Sequence, residues 1–173
     1  PVVRLVHGEA DLLPGLVVDR YGDVVVLQTL IPATELRKQA VADMLWNAFR
    51  LRCVVERNDA RVRELEGLPL VKGLVRGVEP GPVEYREGEV RLGLDLMGGQ
   101  KTGAFLDQRE NRLRAGEYAT GTCLDCFSYG GAFALQLARV CTKVTAVDQS
   151  ATALGRARAN AARAGVENVE WLE

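Results

Sequence analysis

The run from Leu124 to Phe133, LDCFSYGGAF, constrains the fold of this chain most strongly. It predicts a buried strand that carries Asp125 near its end, a turn on Gly130 and Gly131, and a helix from Ala132 onward. Glycine permits a sharp turn and the close approach of a ligand, and a helix N-terminus offers unpaired N–H groups. This order of elements predicts a turn that holds a nucleoside-bearing cofactor.

A second acidic residue follows at the end of the next predicted strand, Val144–Asp148. In nucleoside-binding α/β sheets an acid at this place accepts hydrogen bonds from the ribose hydroxyls. We therefore expect Asp148 to anchor a ribose. The alternative is that Asp148 only caps the helix that begins near Ser150.

The glycine spacing separates two classes of cofactor. A dinucleotide site requires G-x-G-x-x-G, because the pyrophosphate lies against the turn. Here the pattern is Asp-x-Phe-x-x-Gly-Gly, without a third glycine, and the carboxylate of Asp125 would repel a pyrophosphate. It would suit the cationic amino and sulfonium end of S-adenosylmethionine (SAM), so the sequence favours SAM over NAD.

The rest of the chain predicts an α/β protein in two parts. Up to residue 94, short β-branched runs separated by Pro and Gly turns surround one predicted helix, Thr34–Arg50. From Asp107 the pattern becomes helix, strand, helix, strand, helix and strand, with helices at Asp107–Tyr118, Ala132–Arg139 and Ala151–Ala164. This alternation is typical of a parallel, doubly wound sheet.

Composition excludes some classes of protein and leaves others open. The net charge is −1, which gives no support to nucleic-acid binding, and no run approaches the about 20 apolar residues that span a bilayer. We expect a cytoplasmic protein. Cys123 and Cys126 form a C-x-x-C inside a predicted buried strand, without a second ligand pair, so we expect packing and no metal site.

Three segments resemble the rRNA large-subunit methyltransferases of the RlmI type, SAM-dependent class I enzymes that make 5-methylcytosine. These are Leu12–Asp23, Gly99–Arg112 and Asp125–Phe133. The resemblance covers nearly the whole chain. One departure lies in the turn, where the family usually has Thr at the position of Gly130 and Gly at that of Ala132; we still expect SAM to bind.

The resemblance implies a fragment of a longer enzyme. Residues 1–88 would be a small central α+β domain that contacts RNA, and residues 89–173 a β-hairpin plus the first half of a Rossmann-like methyltransferase sheet. An N-terminal PUA domain and the C-terminal catalytic half would be absent. The nucleophilic cysteine would lie beyond Glu173, so we expect no catalytic residue here, weak or no SAM binding, and no RNA methylation by this chain alone.

Several side chains are candidates for binding. Those expected at the cofactor are Phe105, Gln108, Arg109, Asp125, Phe127, Ser128, Tyr129, Gly130, Gly131, Asp148 and Gln149. Those expected at RNA, with 23S rRNA or its precursor as the partner, are Arg57, Arg61, Arg63, Lys101 and Arg112. A solvated, salt-bridged helix is the alternative for Gln100–Arg112.

Two other functions stay open at this point, and so does homodimer formation. The chain could be a noncatalytic RNA-binding or assembly module that uses Arg57, Arg61 and Arg63. An NAD-linked oxidoreductase is less consistent with the glycine spacing.

Overall fold

The computed structural model describes residues 2–99 and 102–173. It divides into two compact units, one formed by residues up to Val83 together with Leu94–Leu106, the other by Glu84–Gly93 together with Asp107–Glu173. The predicted boundary near residue 88 left 94–106 with the later part of the chain. The structure groups this segment with the first unit, whose buried side chains hold its described residues, and the domain boundary itself stays a prediction.

The first unit is built on a five-stranded sheet in the order β1-β2-β3-β4-β5. Its elements are β1 (Val2–His7), β2 (Leu16–Tyr21), β3 (Val24–Thr29), α1 (Pro32–Glu35), α2 (Lys38–Ala48), β4 (Cys53–Asn58), α3 (Val62–Leu65) and β5 (Val71–Gly77). Only β3 and β4 pair in parallel, because the α1–α2 connection returns the chain to the edge where β3 began.

The predicted helix Thr34–Arg50 is two helices in the structure. Pro32 starts α1 at its first position, where its missing N–H costs nothing. Arg37, with φ −105° and ψ 3°, then separates α1 from α2. The core between α2 and the sheet includes Ala42 of the helix and Val18, Val25, Leu27 and Val54 of the strands. These β-branched and apolar residues are typical of strands, which is why the sequence predicted strands here.

The second unit carries a parallel sheet in the order β10-β9-β8. Its elements are the hairpin β6 (Val83–Glu87) and β7 (Val90–Leu94), α4 (Arg109–Tyr118), β8 (Thr122–Cys126), α5 (Ala132–Leu137), β9 (Lys143–Val147), α6 (Ala151–Ala164) and β10 (Val169–Leu172). A 3-10 turn at Leu106–Gln108 precedes α4. The strand–helix alternation is that of a Rossmann-like sheet, as predicted.

The register of this sheet brings the two acidic strand ends together. Asp125 is paired with Ala146 and Cys126 with Val147, so β8 and β9 end side by side and Asp148 follows directly. In open α/β sheets ligands bind at the carboxyl ends of the strands. The candidate cofactor residues therefore lie where this fold binds ligands.

One expectation about β8 is wrong. The strand was predicted to be buried, but Leu124 is 63% exposed and Phe127 just after it is 89% exposed. The side chains alternate between two faces of the strand: Thr122, Leu124 and Cys126 lie on an exposed face, and Cys123 and Asp125 lie on a partly buried one. In residues 2–99 and 102–173, no helix has the length and apolar character to cross a membrane.

Candidate cofactor site

The loop between β8 and α5 adopts an unusual backbone conformation. Phe127, Tyr129 and Gly131 have φ values of 63°, 50° and 80°, the left-handed region that costs an L-residue about 1–2 kcal/mol. Two hydrogen bonds hold the loop, from Ser128 N–H to the Val147 carbonyl (3.0 Å) and from Gly131 N–H to the Ser128 carbonyl (2.8 Å). Strained loops of this kind cluster at ligand sites.

Asp148 organises the loop from the neighbouring strand. Its Oδ2 accepts the Tyr129 N–H at 2.8 Å and its Oδ1 accepts the Ser150 N–H at 2.9 Å. A carboxylate has about four lone-pair positions, so acceptor capacity remains for the two hydroxyls of a ribose. The alternative of a simple helix cap is disfavoured, because the N-cap of α6 is Ser150, whose Oγ accepts the Ala153 N–H.

Asp125 lies on the other side of the loop, where its Oδ2 accepts the Ala134 N–H at 3.0 Å in the first turn of α5. Burial raises the pKa of this carboxyl to about 6, the Ala134 N–H opposes the rise, and the charge of Asp148 adds to it. A cation placed beside Asp125 would offset both causes of the rise. The electrostatics of the site thus favour a positively charged ligand group.

Two further features fit a nucleoside-bearing cofactor. The Ser128 hydroxyl is buried and has no hydrogen-bond partner in the described part of the chain, which is costly unless a ligand or water satisfies it. Gly131 starts α5, and a Cβ there would lie 2.6 Å from Cη2 of Trp171. A Cβ at Gly130 would meet only Asn160 Nδ2, at 3.9 Å. The turn therefore requires glycine at 131, but not at 130.

The remaining cofactor candidates fall into two groups. Tyr129 and Gln149 belong to the same edge of the sheet; the Tyr129 ring lies 5.4 Å from the Arg156 guanidinium, and Gln149 is exposed. Phe105 belongs to the first unit, whereas Gln108 and Arg109 belong to the second. Gln108 accepts a hydrogen bond from Asn111, and Arg109 is exposed. Contacts of these residues, and of the other candidates, with a cofactor stay predictions.

Three of the five RNA candidates are buried. Arg57, 3% exposed, donates to the carbonyls of Leu96 and Gly99 and pairs with Asp59. Arg63, fully buried, donates to the carbonyls of Thr29 and Pro69 and pairs with Glu35. The guanidinium groups of these two residues face the interior, which disfavours direct contact with RNA, so that contact stays a prediction.

Burial disfavours RNA contact by Arg112 as well, and that contact also stays a prediction. It is 3% exposed and forms a two-pronged ion pair with Glu87, at 2.5 Å from Nε and 2.6 Å from Nη2. Arg61 is exposed, so RNA contact by this residue stays a prediction. Lys101 lies outside the described residues.

Sequence reasoning also missed several residues that hold one segment of the first unit in place. The buried Asp19 accepts a hydrogen bond from Thr102 Oγ1 and pairs with Arg4, and the Tyr21 hydroxyl accepts the Ala104 N–H at 3.2 Å. With Arg57, these residues hold Leu96, Gly99, Thr102 and Ala104 against the five-stranded sheet. No local sequence pattern predicts the contacts of Asp19 with Thr102 and of Tyr21 with Ala104, because the partners in each pair are 83 residues apart.

Asn160 was missed as well, although a signal for it existed. It follows Ala153, Leu154 and Ala157 along the apolar face of α6 and is 4% exposed. A polar side chain on a buried helix face needs hydrogen-bond partners. Asn160 has them in the cofactor loop and in the hairpin.

Comparison with known proteins agrees with this geometry. A protein of Klebsiella pneumoniae (strain 342) named ribosomal RNA large subunit methyltransferase I is 41% identical over 167 residues, 95% of this chain and 42% of the relative. The chain thus spans about two fifths of the length of the curated relatives it matches. No family model matches the sequence.

Solved structures show the same similarity. A Streptococcus mutans protein described as a SAM-dependent methyltransferase superimposes with a TM-score of 0.81 at 25% identity, covering 99% of this chain and 45% of that chain. A second protein described as a methyltransferase, solved in complex with SAH, gives a TM-score of 0.82 at 25% identity, covering 99% and 44%. The fold is that of the class I methyltransferases.

Proposed function

We propose that this chain belongs to the family of ribosomal RNA large subunit methyltransferase I, and that its second unit binds SAM for methyl transfer to large-subunit rRNA. The observation that carries the proposal is the pair of carboxylates, Asp125 and Asp148, at the ends of adjacent parallel strands around a strained glycine loop. SAM supplies the methyl group of such a reaction.

Each residue of the site has a separate part in this function. The spare acceptor positions of Asp148 would take the ribose hydroxyls. Asp125 would hold the cationic methionine end, and the unpartnered Ser128 hydroxyl would find its partner in the ligand. The left-handed turn at Gly131 sets the course of the loop backbone, and a Cβ there would lie 2.6 Å from Cη2 of Trp171.

The finer assignment rests on the resemblance of the sequence. We propose cytosine C5 of 23S rRNA as the target, in the cytoplasm, with the residues of this chain contributing the cofactor half of the site. The nucleophilic cysteine is expected outside these 173 residues, and none of the four cysteines here has its position. Arg61, which is exposed, and Lys101, which lies outside the described residues, remain the RNA candidates.

The two other functions are less well supported. The noncatalytic RNA module depended on Arg57, Arg61 and Arg63, and two of these side chains are buried. An NAD-linked oxidoreductase would place a pyrophosphate against Asp125, whose burial already penalises its own negative charge.

The test is an amide NMR titration of the chain with SAM and, separately, with NADH. NMR detects millimolar binding, which matters because we expect weak affinity from this chain. SAM should shift the amides of Ser128–Gly131 and Ser150, and Asp148→Ala should abolish the shifts. Asp59→Asn, in the first unit, is the matched control and should leave them unchanged. Equal responses to NADH and SAM would contradict the proposal. If this chain does not respond to millimolar SAM, the same titration of the longer natural protein decides, and no response there would contradict it.

The rRNA substrate needs an assay of its own. The longer natural protein that contains these residues should transfer a labelled methyl group from SAM to large-subunit rRNA, and Asp148→Ala should remove this activity. Transfer to the small-subunit rRNA alone would refute the substrate assignment.

A further inference from the structure

Asn160 connects two parts of the second unit that are far apart in the sequence. Its Nδ2 donates to the Gly130 carbonyl at 3.0 Å, and its Oδ1 accepts the Gly93 N–H of the hairpin at 2.8 Å. Arg163 Nη1 donates to the same Oδ1 at 2.8 Å. Because both donors meet Oδ1, only one orientation of the amide satisfies all three contacts.

The hairpin is fastened at a second point of this network. Arg163 Nε donates to Glu84 Oε1 at 2.6 Å, so the chain of contacts runs from Glu84 through Arg163 and Asn160 to the cofactor loop. A Cβ at Gly93 would lie 2.7 Å from Arg163 Nη1, so a side chain there would require the guanidinium to move. The hairpin thus braces α6 and, through Asn160, the loop.

Asn160 holds the orientation of the peptide group between Gly130 and Gly131. Its carbonyl accepts from Asn160, and its N–H donates to the Ser128 carbonyl at 2.8 Å. A flip of this peptide would break both hydrogen bonds and take φ of Gly131 out of its value of 80°. Glycine permits either state, since it has almost no preference for the sign of φ. Something other than residue type must select one state.

We infer that Asn160 is a positioning residue of the cofactor loop: its side chain selects the orientation of the Gly130–Gly131 peptide. The Asn160 amide is in turn oriented by Gly93 of the hairpin and by Arg163 of α6. The inference deepens the proposed function and rests on it for its ligand. Asn160 need not touch SAM; it acts through a backbone group of the loop.

The test variant is Asn160→Asp. It preserves the shape of the side chain and the acceptor for Gly93 and Arg163, but it replaces the donor to Gly130 with an oxygen that repels the carbonyl. The matched control is Asn168→Asp. Asn168 Nδ2 donates to the carbonyls of Ala138 and Cys141, near the start of β9 and away from the cofactor loop.

Two measurements on the whole chain decide the matter. The first is hydrogen exchange of the Gly131 amide without ligand, relative to the Val144 amide in the core of the sheet. Asn160→Asp should accelerate exchange at Gly131 selectively, and Asn168→Asp should not. The second is SAM affinity by NMR titration, which Asn160→Asp should weaken by about tenfold, the loss of one hydrogen bond.

Each outcome has a distinct meaning. Unchanged Gly131 exchange in Asn160→Asp would overturn the inference whether or not SAM binds. Weakened SAM affinity to the same extent in both variants would also overturn it, because a general loss of stability would then explain the effect. Selective exchange at Gly131 would support the positioning role even in a chain that binds no SAM, and the proposed function would be refuted if the longer natural protein also bound no SAM.

Discussion

The negative charge of Asp148 raises the pKa of Asp125, because the two carboxylates end adjacent parallel strands and face the same loop. Burial is the larger cause of the rise to about 6, and only the Ala134 N–H opposes it. At neutral pH the Asp125 carboxylate is therefore ionised although burial and the charge of Asp148 both oppose its ionisation. This arrangement favours a ligand with positive charge and leads to the first two predictions.

SAM affinity should increase as the pH rises from 5 to 7. Below about pH 6 Asp125 takes up a proton and no longer attracts the cationic end of the ligand. Asp125→Asn should weaken binding and remove the pH dependence. SAH, whose sulfur is uncharged, should show a smaller dependence. NMR titrations at both pH values measure this, and a wild-type affinity that is independent of pH would contradict it.

Asp125 should also lower the stability of the unliganded protein at neutral pH. Its folded pKa lies above the unfolded value of 3.8, so the folded state binds more protons between these values. The free energy of unfolding therefore falls as the pH rises from about 4 to 6, and the loss is complete above pH 6. Asp125→Asn should recover roughly 1–2 kcal/mol at pH 7.5.

Urea denaturation at pH 5 and 7.5 measures this effect. In a Trp46→Phe background the fluorescence of Trp171 reports on the second unit. The exposed Asp107, changed to Asn, is the control and should have little effect. Equal stability of wild type and Asp125→Asn at pH 7.5 would contradict the prediction.

Gly131→Ala and Gly130→Ala form a matched pair with opposite outcomes. At 131 the new Cβ meets Trp171 at 2.6 Å and Ala157 at 3.0 Å, and φ is positive, so we expect a loss of about 2–3 kcal/mol and no SAM binding. At 130 the space is open, and Ala or Thr should be tolerated. Thermal unfolding ranks the variants, and similar losses at both positions would show that the loop differs from this structure.

Arg112→Ala should destabilise the second unit by about 3–5 kcal/mol, because it leaves the carboxylate of Glu87 buried without its partner. Arg114→Ala, on the exposed face of the same helix, should change stability by less than about 0.5 kcal/mol. Urea denaturation compares the two. If RNA affinity falls in Arg112→Ala while stability is unchanged, Arg112 contacts RNA after all.

Glu35 should make the first unit sensitive to acid. Burial tends to raise its pKa, but hydrogen bonds from Lys38, Thr29 and Arg63 outweigh burial and lower it to about 2. The stabilisation is therefore present above the unfolded value of 4.5 and is lost as the pH falls towards 2. Glu35→Gln should lower the free energy of unfolding at pH 7 and reduce its further loss as the pH falls from 4.5 towards 2. The fluorescence of Trp46 in a Trp171→Phe background measures this unfolding. The exposed Glu64→Gln should behave as wild type.

The sequence by itself determined the cofactor turn and its surroundings. Helix α6 has the predicted bounds, Ala151–Ala164, and Asp125, Gly131 and Asp148 lie together at the ends of β8 and β9. These features depend on local rules: glycine where φ is positive, Ser150 as an N-cap, and apolar periodicity along one helix. Such rules act over a few residues, so a single sequence reveals them.

The tertiary structure alone decided where the long polar side chains point. Arg57 and Arg112 resemble RNA contacts in sequence, yet the first holds a carbonyl 42 residues away and the second a carboxylate 25 residues away. Asn160 likewise reaches Gly130 and Gly93, 30 and 67 residues away. A buried charge or amide is tolerated only where such partners meet it. Which distant groups meet depends on how whole elements pack, and no local pattern carries that information.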